Sequence, residues 1–318
     1  MFNRRQVMAC AATLSSLPLA ARAGASEEAG GGSTRTLADA MRFAIGDVRV
    51  TALSDGPFRL GPDQLSGIDA AGYAEAMEAR FLDPDTWRAA VNGFLIESGD
   101  TRMLVDAGSG GALGPDLGQL MSNLGAVGVA PGDITTFLAT HLHVDHVGGA
   151  VTDDGSAVFP NAEFVVSRAE RDFWSDDGNM TEDNRTFFEA ARAALTAYED
   201  RLRLFEGDGD IAAGVSSVFL PGHTPGHSGY MISSGDASLL IWADIFHVAP
   251  VQMVHPEVTI SFDVNPEEAV ATRRRILDRV ATDRTLVAGS HMDFPGLGHM
   301  RRAGTGYDLI DAPYPYGG

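Results

Sequence analysis

The chain has 318 residues, 44% of them hydrophobic, which is enough to bury the core of one substantial α/β domain. Acidic residues outnumber basic ones 43 to 23, for a formal net charge of −20, and every basic residue is arginine. A surface this acidic disfavours nucleic acid as a partner and keeps the chain soluble. Past the N-terminus no run of about eighteen apolar residues occurs, so no membrane span is predicted.

The N-terminus reads as a targeting segment. Asn3-Arg4-Arg5-Gln6-Val7-Met8 resembles a twin-arginine signal, followed by an apolar stretch from Ala9 to Ala20 and the small-residue site Ala21-Arg22-Ala23. Cleavage after Ala23 is expected, which makes the protein periplasmic or secreted. The single cysteine, Cys10, would leave with residues 1–23, so the processed chain has no disulfide. Its charge would be −23, from 20 arginines and 43 acids. Residues 24–35 are small and polar and are expected to form a flexible arm, leaving 36–318 as the folded catalytic domain.

Along that domain, short apolar runs between turn residues predict strands at 48–53, 93–97, 102–106, 136–140, 163–167, 215–220, 229–233, 239–243 and 285–288. Helices are predicted at 116–125, 168–174, 185–199 and 266–281, the last opened by Asn265 as a cap before Pro266-Glu267-Glu268. Between Thr51 and Trp87 the Gly56-Pro57 and Gly61-Pro62 turns break any period, and that stretch is too irregular to assign.

The densest chemical signal lies at the end of the fourth predicted strand. Thr140-His141-Leu142-His143-Val144-Asp145-His146, running into Gly148-Gly149, holds three imidazoles and a carboxylate within six residues. Alternation on an extended strand end points His141 and His143 to one side, and the turn into a helix swings Asp145 and His146 to a neighbouring position. Imidazole nitrogen and carboxylate oxygen suit zinc and the first-row metals manganese, iron and cobalt. A solvated polar turn is the alternative for such a peptide on its own.

Two coordination spheres need more ligands, and three later segments offer them. His223 sits in Leu220-Pro221-Gly222-His223-Thr224-Pro225-Gly226-His227, after an apolar run. Asp244 ends Leu239-Leu240-Ile241-Trp242-Ala243, where a carboxylate at the tip of a buried strand calls for a metal or a partner charge. His291 follows the run 284–290.

These residues, in this order, resemble the metallo-β-lactamase superfamily from about Val48 to His291. The resemblance implies a four-layer αββα sandwich holding two divalent metal ions, zinc before manganese, cobalt or iron. His141, His143 and His223 would hold one ion and Asp145, His146 and His291 the other. Asp244 would bridge them and hold a bridging hydroxide as nucleophile, with Asp145 as proton shuttle. Asp106, at the end of Arg102-Met103-Leu104-Val105-Asp106, matches the family's acid behind the ligands, and His227 reads as a second supporting residue. His247 falls in the pocket, and His255 and His299 carry no signal.

Branch signals lie outside the ligands. A bridging-type Asp244 and the lack of lysine weigh against a β-lactamase, and His143 weighs against a flavodiiron oxidoreductase. A glyoxalase II-like thioesterase would need a cationic glutathione site, which is not found. The segments Ala169-Glu170-Arg171-Asp172-Phe173-Trp174, Asp244-Ile245-Phe246-His247-Val248-Ala249-Pro250 and Ser290-His291-Met292-Asp293-Phe294-Pro295-Gly296 resemble the methyl parathion hydrolases and the related lactonase and arylesterase branch. That resemblance implies small neutral ester, lactone or organophosphate triester substrates and a homodimer. It also implies an aromatic pocket residue at Trp174, with Phe173, Phe187 and Phe188 as further candidates. A mononuclear iron persulfide dioxygenase, which uses His, His and Asp from similar strand ends, is the alternative of another class.

Overall fold

The computed structural model describes residues 39–313. The expected signal (1–23), the arm (24–35) and Tyr314-Pro315-Tyr316 lie outside the described residues. The first half of the chain contributes strands β1 Ala40–Ile45, β2 Val48–Phe58, β3 Leu65–Ser66, β4 Ala89–Ser98, β5 Thr101–Val105, β6 Thr136–Leu138, β7 Glu163–Ser167 and β8 Leu202–Phe205. Its helices are α1 Ala70–Glu78, α2 Leu120–Ala126, α3 Val144–Val147, α4 Arg168–Ser175 and α5 Arg185–Ala197. The second half adds β9 Gly209–Ala212, β10 Val215–Phe219, β11 Ser228–Ser234, β12 Ala237–Ala243, β13 Thr259–Ile260, β14 Leu286–Gly289, β15 Leu297–Ala303 and β16 Gly306–Asp311, with α6 Ala249–Gln252 and α7 Pro266–Asp283.

Two seven-stranded sheets result, in the orders β1-β2-β4-β5-β6-β7-β8 and β16-β15-β14-β12-β11-β10-β9. Strand alternation sorts their side chains into layers. Val50, Ala52, Phe94, Ile96, Val105, Leu138 and Val165 meet Tyr230, Ile232, Leu239, Ile241 and Ala288 between the sheets. Their neighbours in sequence, such as Leu95, Leu104, Phe137 and Phe164, face outward and are covered by Leu120, Leu124, Phe188 and Ala191 from α2 and α5. On the far side Leu240 and Trp242 pack under Ile276, Leu277 and Val280 of α7. The result is the αββα sandwich. Among the described residues no helix is long and apolar enough to cross a membrane.

Register places the chemistry. β5, β6 and β7 run parallel in one sheet, as do β12 and β14 in the other. The residues that follow β5, β6, β12 and β14 therefore emerge at one edge of the sandwich.

Several elements differ from expectation. The helix expected from 116 begins only at Leu120, because Asp55 fixes the preceding loop by accepting from Gly118 N and Leu120 N. The unassigned stretch contains α1, whose cap Asp69 accepts from Gly72 N at 2.8 Å. β1, β8, β9 and β16 escape a hydrophobicity reading because they form the sheet edges, and β15 because charged residues such as Arg301 and Arg302 interrupt its alternation.

The packing of the outer layer can be tested at Phe137. Its ring is fully buried, stacks on Phe164 at 4.9 Å and touches Phe159 and Tyr198. Phe137→Ala is expected to cost about 3–5 kcal/mol of unfolding free energy, read from denaturant titration. A loss within measurement error would contradict this placement.

Candidate metal centre

The backbone around the site is held from several sides. Thr140 donates through N and Oγ1 to the two oxygens of Asp106, at 2.9 and 2.8 Å. Asp106 has φ +57°, and Ala243, just before Asp244, has φ +48°. Side-chain-bearing residues rarely adopt this left-handed region, which costs roughly 1–2 kcal/mol per residue, so strain is concentrated where the ligands are presented. Gly148 and Gly149 are required by close approach. A Cβ on either would collide with a carbonyl of the loop after Asp106, that of Ser109 or of Ala107. Glu170, fully buried on α4, joins both histidine loops by accepting from Leu142 N at 3.1 Å and Gly226 N at 2.7 Å.

Seven residues expected as ligands arrive together. His141, His143 and His223 form one compact donor group and Asp145, His146 and His291 another, and Asp244 groups with His141 and His146. His143 Nδ1 and His223 Nε2 are 3.0 Å apart. Asp244 Oδ2 lies 3.6 Å from His141 Nε2, 3.4 Å from His223 Nε2 and 3.1 Å from His291 Nε2, while Oδ1 is 3.3 Å from His146 Nε2. Asp145 Oδ2 stands 3.5 Å from His146 Nε2 and 3.4 Å from His291 Nε2.

Three of the rings are oriented through their other nitrogen, as metal-binding imidazoles generally are. His146 Nδ1 pairs with Asp106 Oδ2 at 2.7 Å, His223 Nδ1 with Asp263 Oδ1 at 2.9 Å, and His291 Nδ1 donates to Ala90 O at 2.8 Å. His227 differs in its role. Its Nδ1 donates to Leu220 O at 2.9 Å, and its Nε2 accepts from Asp244 N at 3.2 Å, so it holds the backbone of the central carboxylate rather than a ligand ring.

These groups fit a pair of cations. His141 Nε2, His146 Nε2 and Asp244 Oδ1 are buried polar atoms without a hydrogen-bond partner. Among the described residues, Asp106, Asp145 and Asp244 find only histidine as a charge partner, never arginine. Burying several anions costs several kcal/mol each unless positive charge is supplied. Protonation preferences divide: burial disfavours charge on His146 and His291, but the facing Asp244 outweighs it and pushes both imidazoles up. Burial pushes the His141 and His143 imidazoles well below the ordinary histidine value. Burial also opposes the charge on Asp145 and Asp244, but the facing His146 and His291 outweigh it and hold both carboxyls below their usual range. Neutral imidazole and ionised carboxylate are the metal-binding forms.

The residues expected in the pocket divide into two groups. Phe187 and His247 line a cavity of about 500 Å³ that opens on His143, Asp145, Asp244 and His291. His247 Nε2 is 3.1 Å from Asp244 Oδ2, and burial pushes its imidazole down to about 4. Trp174 stands behind His143 instead, edge-on at 5.4 Å, with its indole N–H donated to Glu170. Phe173 and Trp174 border a neighbouring cavity, and Phe188 is buried on the inner face of α5. His255 is at the surface beside Glu257.

Sequence reasoning missed Asp263 and Glu170. Asp263 stands two residues before the cap Asn265 and looks like part of a helix start. Glu170 looks like any acid in a first helical turn.

Residues 86–291 match the family described as the metallo-beta-lactamase superfamily. A solved hydrolase, AbOPH, in the beta lactamase superfamily is 32% identical and superposes with a TM-score of 0.83 over 88% of this chain and 99% of its own. AidC, a dizinc quorum-quenching lactonase solved with a product, N-hexanoyl-L-homoserine, is 26% identical with a TM-score of 0.83, over 87% of this chain and 99% of its own. The N-acyl homoserine lactonase AiiA of Bacillus thuringiensis subsp. kurstaki is 25% identical over 181 residues, 54% of this chain. The chain spans 62% of the length of that curated relative.

Asp263 provides a test of the site's construction. Asp263→Ala removes the only side chain bonded to His223 Nδ1 among the described residues and is expected to weaken metal binding about 10–100-fold, measured by competition with a chromophoric chelator. Unchanged affinity would show that His223 is oriented without it.

Proposed function

Because the chain belongs to the metallo-beta-lactamase superfamily, we propose that it is a dinuclear metal-dependent hydrolase of uncharged ester-like bonds. Lactones, N-acyl homoserine lactones in particular, are its substrate class, and aryl esters and organophosphate triesters are bonds the same centre can cleave. The observation that carries this reading is the cavity itself. Phe58, Leu60, Leu113, Val144, Phe187 and Phe262 give it apolar walls that lead directly to Asp145, Asp244 and His291, and Arg59 is the only arginine among its lining residues. Apolar walls with few convergent polar groups suit a neutral ligand. The lactonases among the relatives support the substrate class.

Two bound cations, zinc on this donor set, would supply charge to polarise a carbonyl or phosphoryl oxygen and would make a water acidic near neutral pH. Of the chain's own residues, Phe58, Phe187 and Phe262 desolvate the scissile group. Asp145, 13% exposed and facing the cavity, takes the proton released as water adds and returns it to the leaving oxygen. For a lactone the ring C–O bond breaks and the leaving oxygen stays tethered, so one product carries both a carboxylate and a hydroxyl. His227 and Asp106 keep Asp244 and His146 in place while this happens. Export and a homodimer complete the proposal. The Arg4-Arg5 segment supports the first and the family resemblance the second, and cell fractionation and light scattering test them.

Metal analysis of the purified protein should give two ions per chain, and a panel of an aryl ester, an acyl-homoserine lactone, methyl parathion and a cephalosporin should show lactone turnover that chelation abolishes. One iron per chain, oxygen consumption and no hydrolysis would instead identify the persulfide dioxygenase chemistry. Asp145→Asn is expected to lower kcat by about 10²–10⁴-fold in a protein that still loads metal at the His141, His143 and His223 group. Asp244→Ala should lose both metal and turnover, and a fully active variant with unchanged metal content would sink the dinuclear assignment.

A further inference from the structure

Away from the metal centre, the most anomalous side chain belongs to Phe81. Helix α1 ends in a closed turn in which Phe81 N donates to Glu78 O at 2.9 Å and Leu82 N to Met77 O at 3.1 Å. These two bonds place Phe81 at the left-handed position that follows a helix, with φ +61°, where glycine or asparagine is usual. Phenylalanine is strained there, and it gains no packing in return. Its side chain is 99% exposed, whereas no other large hydrophobic among the described residues exceeds 42%. Both penalties fall on the isolated chain, and an outlier of this kind points to a contact made outside it.

An apolar recess lies beside it. A cavity of about 580 Å³, walled by Ile68, Ala76, Ala79 and Val254, reaches Ala79 and Arg80, the two residues before Phe81. The exposed Phe81 ring does not fill it. Glu75, Arg80, His255 and Asp308 also line the recess, so both signs of charge border the apolar walls, and Arg80 pairs with Asp308 at 3.1 Å. Asp308 lies on β16, the last strand of its sheet. Strand alternation puts Ile310, 42% exposed, on the same side as Asp308 and so on this face.

We propose that this face joins two copies of the chain about a twofold axis, with Phe81 of each copy seated in the recess of the other. Ring and recess occur side by side on one molecule, so a single rotation mates both pairs and closes the assembly. The charged border is complementary to itself, because Arg80 of one copy can face Glu75 or Asp308 of the other. A strongly acidic or strongly basic partner would leave one sign of that border unmatched. The inference rests on the homodimer included in the proposed function and names its surface, and it makes no use of the metal centre.

Sedimentation equilibrium of the wild type and two variants tests it. Phe81→Asn removes the ring and suits the left-handed backbone, and Ala79→Glu, at an exposed position, obstructs the recess while leaving the ring. The wild type should be dimeric, and more tightly so as salt is raised, because each copy carries a net charge of −20 and salt screens their repulsion. Each variant should raise the dissociation constant at least about 30-fold, as loss of a central aromatic anchor does. An equimolar mixture of the two should associate more tightly than either alone, since the intact ring of Ala79→Glu meets the open recess of Phe81→Asn. In denaturant, monomeric Phe81→Asn should unfold no earlier than monomeric Ala79→Glu, and an earlier transition would make Phe81 a residue of the fold and overturn the proposal. A monomeric wild type overturns this surface and the homodimer together. A dimeric wild type that Phe81→Asn does not weaken overturns the surface alone, and no gain on mixing overturns the seating of ring in recess. None of these outcomes depends on turnover, which tests the hydrolase reading separately.

Discussion

Asp244 is the constraint to which the surrounding structure answers. Its carboxylate is 4% exposed, and imidazole nitrogens of His141, His146, His223, His247 and His291 approach it within 3.6 Å. An anion so placed is tolerable only where positive charge is supplied, and protonated imidazole or bound cations are the means available at this depth. The other features serve to hold that arrangement. His227 fixes its backbone, Asp106 and Asp263 orient rings on either side of it, and Glu170 ties together the two loops that bring His143 and His223 into contact.

The sandwich provides rigidity, and the site spends some of it. Left-handed backbone at Asp106 and Ala243 and clustered like groups are unfavourable locally, and they persist because both strands are anchored in the inter-sheet core just below. The same architecture separates two functions. The His and Asp donors lie at or just after strand ends, whereas Leu113, Phe187 and Phe262 come from loops and a helix start and line the cavity that opens on them. Loops change more freely than buried strands, so members of one superfamily can share a metal centre and differ in substrate.

Much of the site was legible in the chain because its signals are local. His141 to His146 is a contiguous peptide with ligand spacing, and Asp244 and His291 each terminate a run whose apolar character marks a buried strand. Interior strands such as β4, β5, β7 and β12 were readable for the same reason, since burial on both faces leaves a continuous or alternating apolar pattern. The edge strands β1, β8, β9 and β16 were not, because one edge meets water and polar residues interrupt the pattern. Asp263 and Glu170 could not be recognised either. Each looks like an ordinary acid at a helix start and acquires its role only from a partner 40 or 56 residues away.

By itself the sequence determined the donor set, the strand ends that carry it and the family, because ligand type, spacing and burial are properties of short segments. Only the tertiary structure decided that Asp263 orients His223, that Trp174 supports His143 from behind, and that Phe187 stands between two chambers. Those facts depend on sheet register and on how helices α4 and α5 pack across the strand ends. Contacts between segments distant in the chain leave no periodic trace within either segment.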